Sequence, residues 1–381
     1  GTLSAGSNYD LTFVSKDFAV TQKQITITAD AGQTKVYGDA DPTFTYTTSA
    51  TLESGDSFSG VLSRTSGEDV GSYAITIGTL SAGSNYDLTF VSKDFAVTQK
   101  QITITADAGQ TKVYGDADPT FTYTTSATLE SGDSFSGVLS RTSGEDVGSY
   151  AITIGTLSAG SNYDLTFVSK DFSITQKAIT VTADAGQTKV YGDADPTFTY
   201  TTSATLESGD SFSGVLSRTS GESVGSYAIL QGTLSAGSNY DLTFVSKDFA
   251  VTQKQITITA DAGQTKVYGD ADPAFTYTTS ATLESGDSFS GVLSRTSGES
   301  VGSYAITIGT LSAGSNYDLT FVSKDFSITQ KAITVTADAG QTKVYGDADP
   351  TFTYTTSATL ESGDSFSGAL SRATGEDVGS Y

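Results

Sequence analysis

The octapeptide Lys35-Val36-Tyr37-Gly38-Asp39-Ala40-Asp41-Pro42 returns intact at Lys112, Lys189, Lys266 and Lys343, and each step is 77 residues. Its surroundings return with it. Gly-Thr-Leu-Ser-Ala-Gly-Ser-Asn-Tyr-Asp begins at Gly1, Gly78, Gly155, Gly232 and Gly309, with no insertion or deletion between copies. A fixed period of this length means an array of one small repeat. Whole repeats fall at 24–100, 101–177, 178–254 and 255–331, flanked by the C-terminal part of a repeat at 1–23 and the N-terminal part of one at 332–381. The sequence therefore reads as a window on a longer chain. A sharper alternative is that the tail of one molecule completes the head of another by strand donation. Whatever the chain does must be something near-identical copies in a row can do.

A repeat this small buries only roughly 60% of its unfolded surface. The chain has no Cys, so neither disulfides nor thiolate-bound zinc can staple it, and His, Met and Trp are absent too. Its core must come from aromatics and aliphatics. The first whole repeat supplies Ile25, Ile27, Val36, Tyr37, Phe44, Tyr46, Leu52, Phe58, Leu62, Val70, Tyr73, Ile75, Ile77, Leu80, Tyr86, Leu88, Phe90, Phe95 and Val97.

The net charge is −23, and repeat 24–100 carries nine acids against four bases. Such a surface repels nucleic acid and anionic lipid and keeps a long polymer soluble. No apolar run approaches the roughly 20 residues of a membrane span. With Thr, Ser and Gly richness, this composition fits a secreted surface polymer better than a cytosolic enzyme.

Within 24–100 the hydrophobic period is two, the signature of strands. Ile25-Thr26-Ile27-Thr28-Ala29 alternates cleanly, as do Tyr73-Ala74-Ile75-Thr76-Ile77 and Tyr86-Asp87-Leu88-Thr89-Phe90. Shorter strands are expected at Lys35–Tyr37, Phe44–Tyr46, Val61-Leu62 and Phe95–Thr98. Gly38–Pro42 is a turn on composition, with Pro42 unable to donate to a ladder. About seven strands and no helical period make the repeat all-β. At the junction, Phe95-Ala96-Val97-Thr98-Gln99-Lys100-Gln101-Ile102 runs from last strand to first strand without a Gly-, Pro- or Ser-rich linker. Neighbouring repeats are expected to touch end to end. The junctions also vary, Ser173-Ile174 with Ala178 and Ser327-Ile328 with Ala332 replacing Ala-Val and Gln.

Two resemblances sit on these residues. Asp69-Val70-Gly71-Ser72-Tyr73-Ala74-Ile75 resembles the Asp-x-Gly-x-Tyr-x-Cys run of immunoglobulin-like domains, with Ile75 in place of the Cys. There the Tyr ties a loop to the sandwich. Ser223 and Ser300 replace the Asp in two copies. The whole repeat resembles the MBG domain of the YGX type, found in large bacterial surface adhesins. The features that carry this are Ile25–Ala29, Lys35–Asp39, Pro42 before Phe44 and Tyr46, Leu62 with Arg64, Val70–Ile75, and Asn85-Tyr86-x-Leu88-x-Phe90. The resemblance implies a bacterial extracellular protein whose tandem β-rich modules form a stalk or adhesive fibre. It supplies no catalytic residue.

Candidate chemistry is sparse. The alternating carboxylates Asp39/Asp41, with Asp116/Asp118, Asp193/Asp195, Asp270/Asp272 and Asp347/Asp349, are the candidate metal site, with calcium the ion that suits hard oxygens. The EF-hand Gly and Glu are missing, and Asp before Pro is ordinarily turn chemistry. Lys35 and Asn85 are candidates for an isopeptide crosslink, although Lys35, next to Val36, is expected to face solvent. Tyr37 and Tyr86 are candidates for stacking on sugars, against a core role that the alternation favours. No His or Cys is present for nucleophilic or general-base work, and Glu68 and Asp69 do not make a glycosidase pair. No enzyme is expected.

The sequence thus predicts a tandem array of small immunoglobulin-like β-sandwich domains, with a β-grasp-like repeat as the alternative, joined end to end as a rod. Its expected role is a structural stalk or spacer of a bacterial cell-surface adhesin or extracellular filament. The alternatives are a multivalent module binding host or matrix glycans weakly, and a filament self-assembling through its incomplete ends. The expected partners are neighbouring repeats, with no required cofactor, no nucleic acid and no membrane insertion in this segment.

Overall fold

The computed structural model describes all 381 residues and contains strands, turns and no helix. The chain forms two compact units, Gly1–Ala178 with Gly237–Asp241, and Ile179–Ala236 with Leu242–Tyr381.

In the first unit, repeat 24–100 holds seven strands: β1 Lys23–Ala29, β2 Gln33–Val36, β3 Tyr46–Thr48, β4 Ser63–Arg64, β5 Gly71–Thr76, β6 Tyr86–Val91 and β7 Asp94–Thr98. They make two sheets. A three-stranded sheet has the order β3-β1-β6, with β1 antiparallel to β3 and parallel to β6. A four-stranded sheet has the order β2-β7-β5-β4, with β7 parallel to β2 and antiparallel to β5. The next repeat opens with β8 Lys100–Ala106 and has the same pairings. In the second unit, the strands of 255–331 pair in the same order.

The all-β tandem array is therefore what the chain forms. Both sheets are mixed, each with one parallel pair, so the immunoglobulin-like label is finer than the pairing establishes. A β-grasp would lay a helix across its sheet, and none is present.

One core cluster draws on both sheets: Ile25, Ile27 and Ala29 from β1, Tyr86 from β6, Ile75 from β5, and Phe95 and Val97 from β7. The alternation read from the sequence is the reason, since period two puts Thr26 and Thr28 on the opposite face of β1. Phe44 packs edge-on against Phe95 with centroids 5.1 Å apart, although it lies outside any strand. The short strand expected at Val61-Leu62 forms two residues later, as β4, pairing Arg64 with Ile75.

The Tyr73 hydroxyl donates to the Asp69 carbonyl at 2.7 Å, and Tyr227 does the same to Ser223 at 2.7 Å. The acceptor is main chain, so this corner tolerates Asp or Ser. Gly67, with φ +136°, lies under the Tyr73 ring, where a Cβ would collide with it.

Strand β2 corrects the sequence reading. Lys35 turns inward, its side chain only 4% exposed, and Val36 turns out at 39%. The inward Lys is tolerated because carboxylates meet it there.

Candidate functional site: ion clusters and seams between repeats

Lys35 sits at the centre of a four-charge cluster. Its ammonium lies 2.8 Å from Asp41 Oδ1 and also pairs with Glu68. Arg64 engages Asp41 with two nitrogens, Nε to Oδ2 at 2.6 Å and Nη2 to Oδ1 at 3.0 Å, and Glu68 with Nη2 at 2.6 Å. The guanidinium also lies over the rings of Tyr73 and Phe95, at 5.0 and 5.5 Å. Two cations and two anions balance, which ties β2, the Asp41 turn, β4 and the loop before β5 together. The Arg64 hydrogen bonds, with Lys35 adding to them against the opposing effect of burial, hold the Asp41 carboxyl below its usual range. Lys35 and then Arg64 do the same for Glu68.

The ten candidate metal-ligating carboxylates divide into two kinds. Asp41, Asp118, Asp195, Asp272 and Asp349 each pair with a Lys and an Arg of their own repeat. In Asp41 both oxygens are engaged by cations, a setting that opposes a divalent ion. Asp39, Asp116, Asp193, Asp270 and Asp347 close the preceding turn through their amides, as Asp39 does to the Val36 carbonyl at 3.0 Å. Behind the larger effect of the hydrogen bond that Lys331 donates to Glu361, the charge of Asp270 also helps raise the Lys331 pKa. No group of three or more carboxylates converges on one point.

Lys35 and Asn85 do not meet as a crosslinking pair. The copy Lys112 is held by Asp118 and Glu145, and Asn162 is held by the preceding repeat. Tyr86 is buried, donating its hydroxyl to Asp56 at 2.6 Å and accepting from the Glu53 amide at 2.8 Å, so it offers no open face to a sugar.

The contacts that sequence reasoning missed lie between repeats. Strand β7 ends at Thr98 and β8 starts at Lys100, so Gln99 alone links two repeats. Its side-chain amide donates to the carbonyls of Ser161 and Tyr163 in the following repeat, at 3.0 and 3.1 Å. The Val36–Asp39 turn then docks on that repeat. Gly38, at φ +88°, lets the Glu130 side chain lie against it, where a Cβ would collide with the carboxyl group. Glu130 in turn pairs with Lys100.

Tyr37 packs against the cores of both repeats. Its ring meets Tyr163 edge-on at 5.4 Å, and both hydroxyls donate to Asp133 Oδ2, at 2.9 and 2.6 Å. Burial, with that hydrogen bond, pushes Tyr163 up to about 12. The Asp133 hydrogen bond, then burial, raises Tyr37. Asn162 accepts from the Val70 amide at 2.9 Å and donates to Asp69 Oδ1 at 2.9 Å.

The second unit builds the same seam. Tyr191 and Tyr317 share Asp287, at 2.9 and 2.7 Å, and Gln253 reaches the Ser315 and Tyr317 carbonyls. One signal in the sequence pointed here: Thr-Gln-Lys at 98–100 is constant at every junction while the residues around it vary.

Compared with known families, the chain matches the MBG domain (YGX type) over residues 25–96, 102–173, 179–250, 256–327 and 333–381. That is most of its length, and the chain belongs to this family. None of the curated proteins compared with the chain matches it.

Proposed function

We propose that the array is a structural stalk or spacer of a bacterial cell-surface adhesin or extracellular filament, holding a distal binding region away from the cell. The observation that carries this reading is the seam. A one-residue link whose side chain is itself bonded to the next repeat removes the freedom a flexible linker would give. A tyrosine shared by two cores adds a packed contact to that link. An array built this way transmits position along its length without catalysis, and its acidic surface keeps neighbouring fibres apart.

The competing role is a multivalent module binding host or matrix glycans. The burial of Tyr86 and the use of Tyr37 in the seam weigh against it, because those rings were its stacking candidates. The test is binding of the purified chain to immobilised mucin and matrix glycans at physiological salt. A stalk predicts no saturable binding. Saturable binding that grows with repeat number would put the multivalent module in its place.

A further inference from the structure

The seams are not all alike. In the first unit Asn162 bonds both the Val70 amide and the Asp69 carboxylate, and Asn239 repeats this with Val147 and Asp146, all at 2.9 Å. In the second unit Asn316 accepts from the Val224 amide at 2.9 Å, but residue 223 is Ser, so the carboxylate partner is gone. The rest of that seam is unchanged: the shared aspartate, the edge-on tyrosines and the glutamine clamp are all in place.

Inside the repeat, the Asp-to-Ser exchange leaves the tyrosine corner intact. The hydroxyl of Tyr73, or of Tyr227, takes the main-chain carbonyl of this position in either case, at 2.7 Å. What the side chain changes is the neighbour's grip.

We propose that the residue at positions 69, 146 and 223 sets how firmly each repeat holds the next, so that the array contains graded seams and opens first where Ser stands. A hydrogen bond to a carboxylate is stronger than one between neutral groups, so its loss selectively weakens one junction. This inference rests on seam geometry and stands whether or not the array serves as a stalk.

The sequence offers a clean way to read it in the intact chain. The only Asp-Val pairs are 69–70, 146–147 and 377–378, and the only Ser-Val pairs are 223–224 and 300–301. Labelling the Asp or Ser carbonyl carbon with 13C and the Val nitrogen with 15N isolates these amides for hydrogen exchange by NMR. With every rate divided by the intrinsic rate of its own Asp-Val or Ser-Val step, Val224 should exchange roughly threefold to tenfold faster than Val70 and Val147, the scale of one hydrogen bond. Ser223→Asp should slow it to their level, and Asp69→Ser should speed Val70 to match wild-type Val224. Asn316→Ala should speed Val224 further, because it removes the acceptor of that amide. Equal exchange at Val70 and Val224 in the wild type overturns the proposal. So does a Ser223→Asp chain in which Val224 is no slower, or an Asn316→Ala chain in which it is no faster.

Discussion

Residues 1–23 and 78–100 have the same sequence and different structures. In the second stretch β6 and β7 form, Tyr86 is buried, and Phe95 is fully buried in the core. In the first stretch no strand forms before Lys23, and Phe18, the counterpart of Phe95, is 90% exposed. The difference is partners. Strand β6 pairs with β1, more than 60 residues earlier, and β7 lies between β5 and β2. Alternation makes a segment fit for a strand, and distant chain makes it one.

The strongest way to break this comparison is to remove the core that receives β7. Phe95→Ala should destabilise its repeat by about 3–5 kcal/mol. Limited trypsin digestion followed by intact mass should then show the effect. In the wild-type chain cleavage is expected first after Lys16, which lies outside any strand, whereas Lys93 and Lys100 should resist; in the variant those two sites should be cut as early as Lys16. Equal resistance in the variant would show that β7 does not depend on this packing.

A smaller effect comes from the ion cluster. Arg64→Ala leaves Asp41 and Lys35 in a setting made for four charges and removes the contact with two rings, and should cost about 3 kcal/mol. Glu68, 68% exposed, is screened by water, so Glu68→Ala should cost about 1 kcal/mol or less. Chemical unfolding of each full-length variant separates them, and equal losses would mean the buried Arg is not the organising charge.

Alkali sharpens the comparison by acting on the seam. A Tyr whose folded pKa is raised contributes stability that is full below its ordinary value of about 10 and lost as pH rises through the folded value. Tyr163, held up to about 12, should therefore loosen the seam between pH 10 and 12. Asp133→Asn should reduce this sensitivity by removing the negative charge that opposes ionisation of both hydroxyls. Exchange at the Val70 amide follows the opening, and a rate independent of Asp133 would separate Tyr163 from the seam.

Much of this fold was legible because it is periodic and local. Ile25-Thr26-Ile27-Thr28-Ala29 declares its buried face, and the absence of linker residues around Gln99 announces a tight junction. Lys35 was misread for a physical reason. Hydrophobicity assigns an isolated Lys to solvent, whereas here Asp41 and Glu68 come from elsewhere in the chain to meet it. Asn162 was opaque because its partners lie in the preceding repeat, Val70 being 92 residues away. Asp69 looked dispensable because Ser replaces it, and for the tyrosine corner that is so. Its work is done on the neighbour.

The central claim is that seam contacts fix one repeat against the next. The chain has no Cys, so Thr89→Cys with Thr166→Cys places spin labels on two exposed strand positions either side of the first seam, with no competing thiol. Pulsed electron paramagnetic resonance should give one narrow distance distribution, the same in calcium and after chelation. A broad distribution in both conditions would contradict the account, and one that broadens only on chelation would transfer control of the seam to calcium at the Asp39 and Asp41 turns.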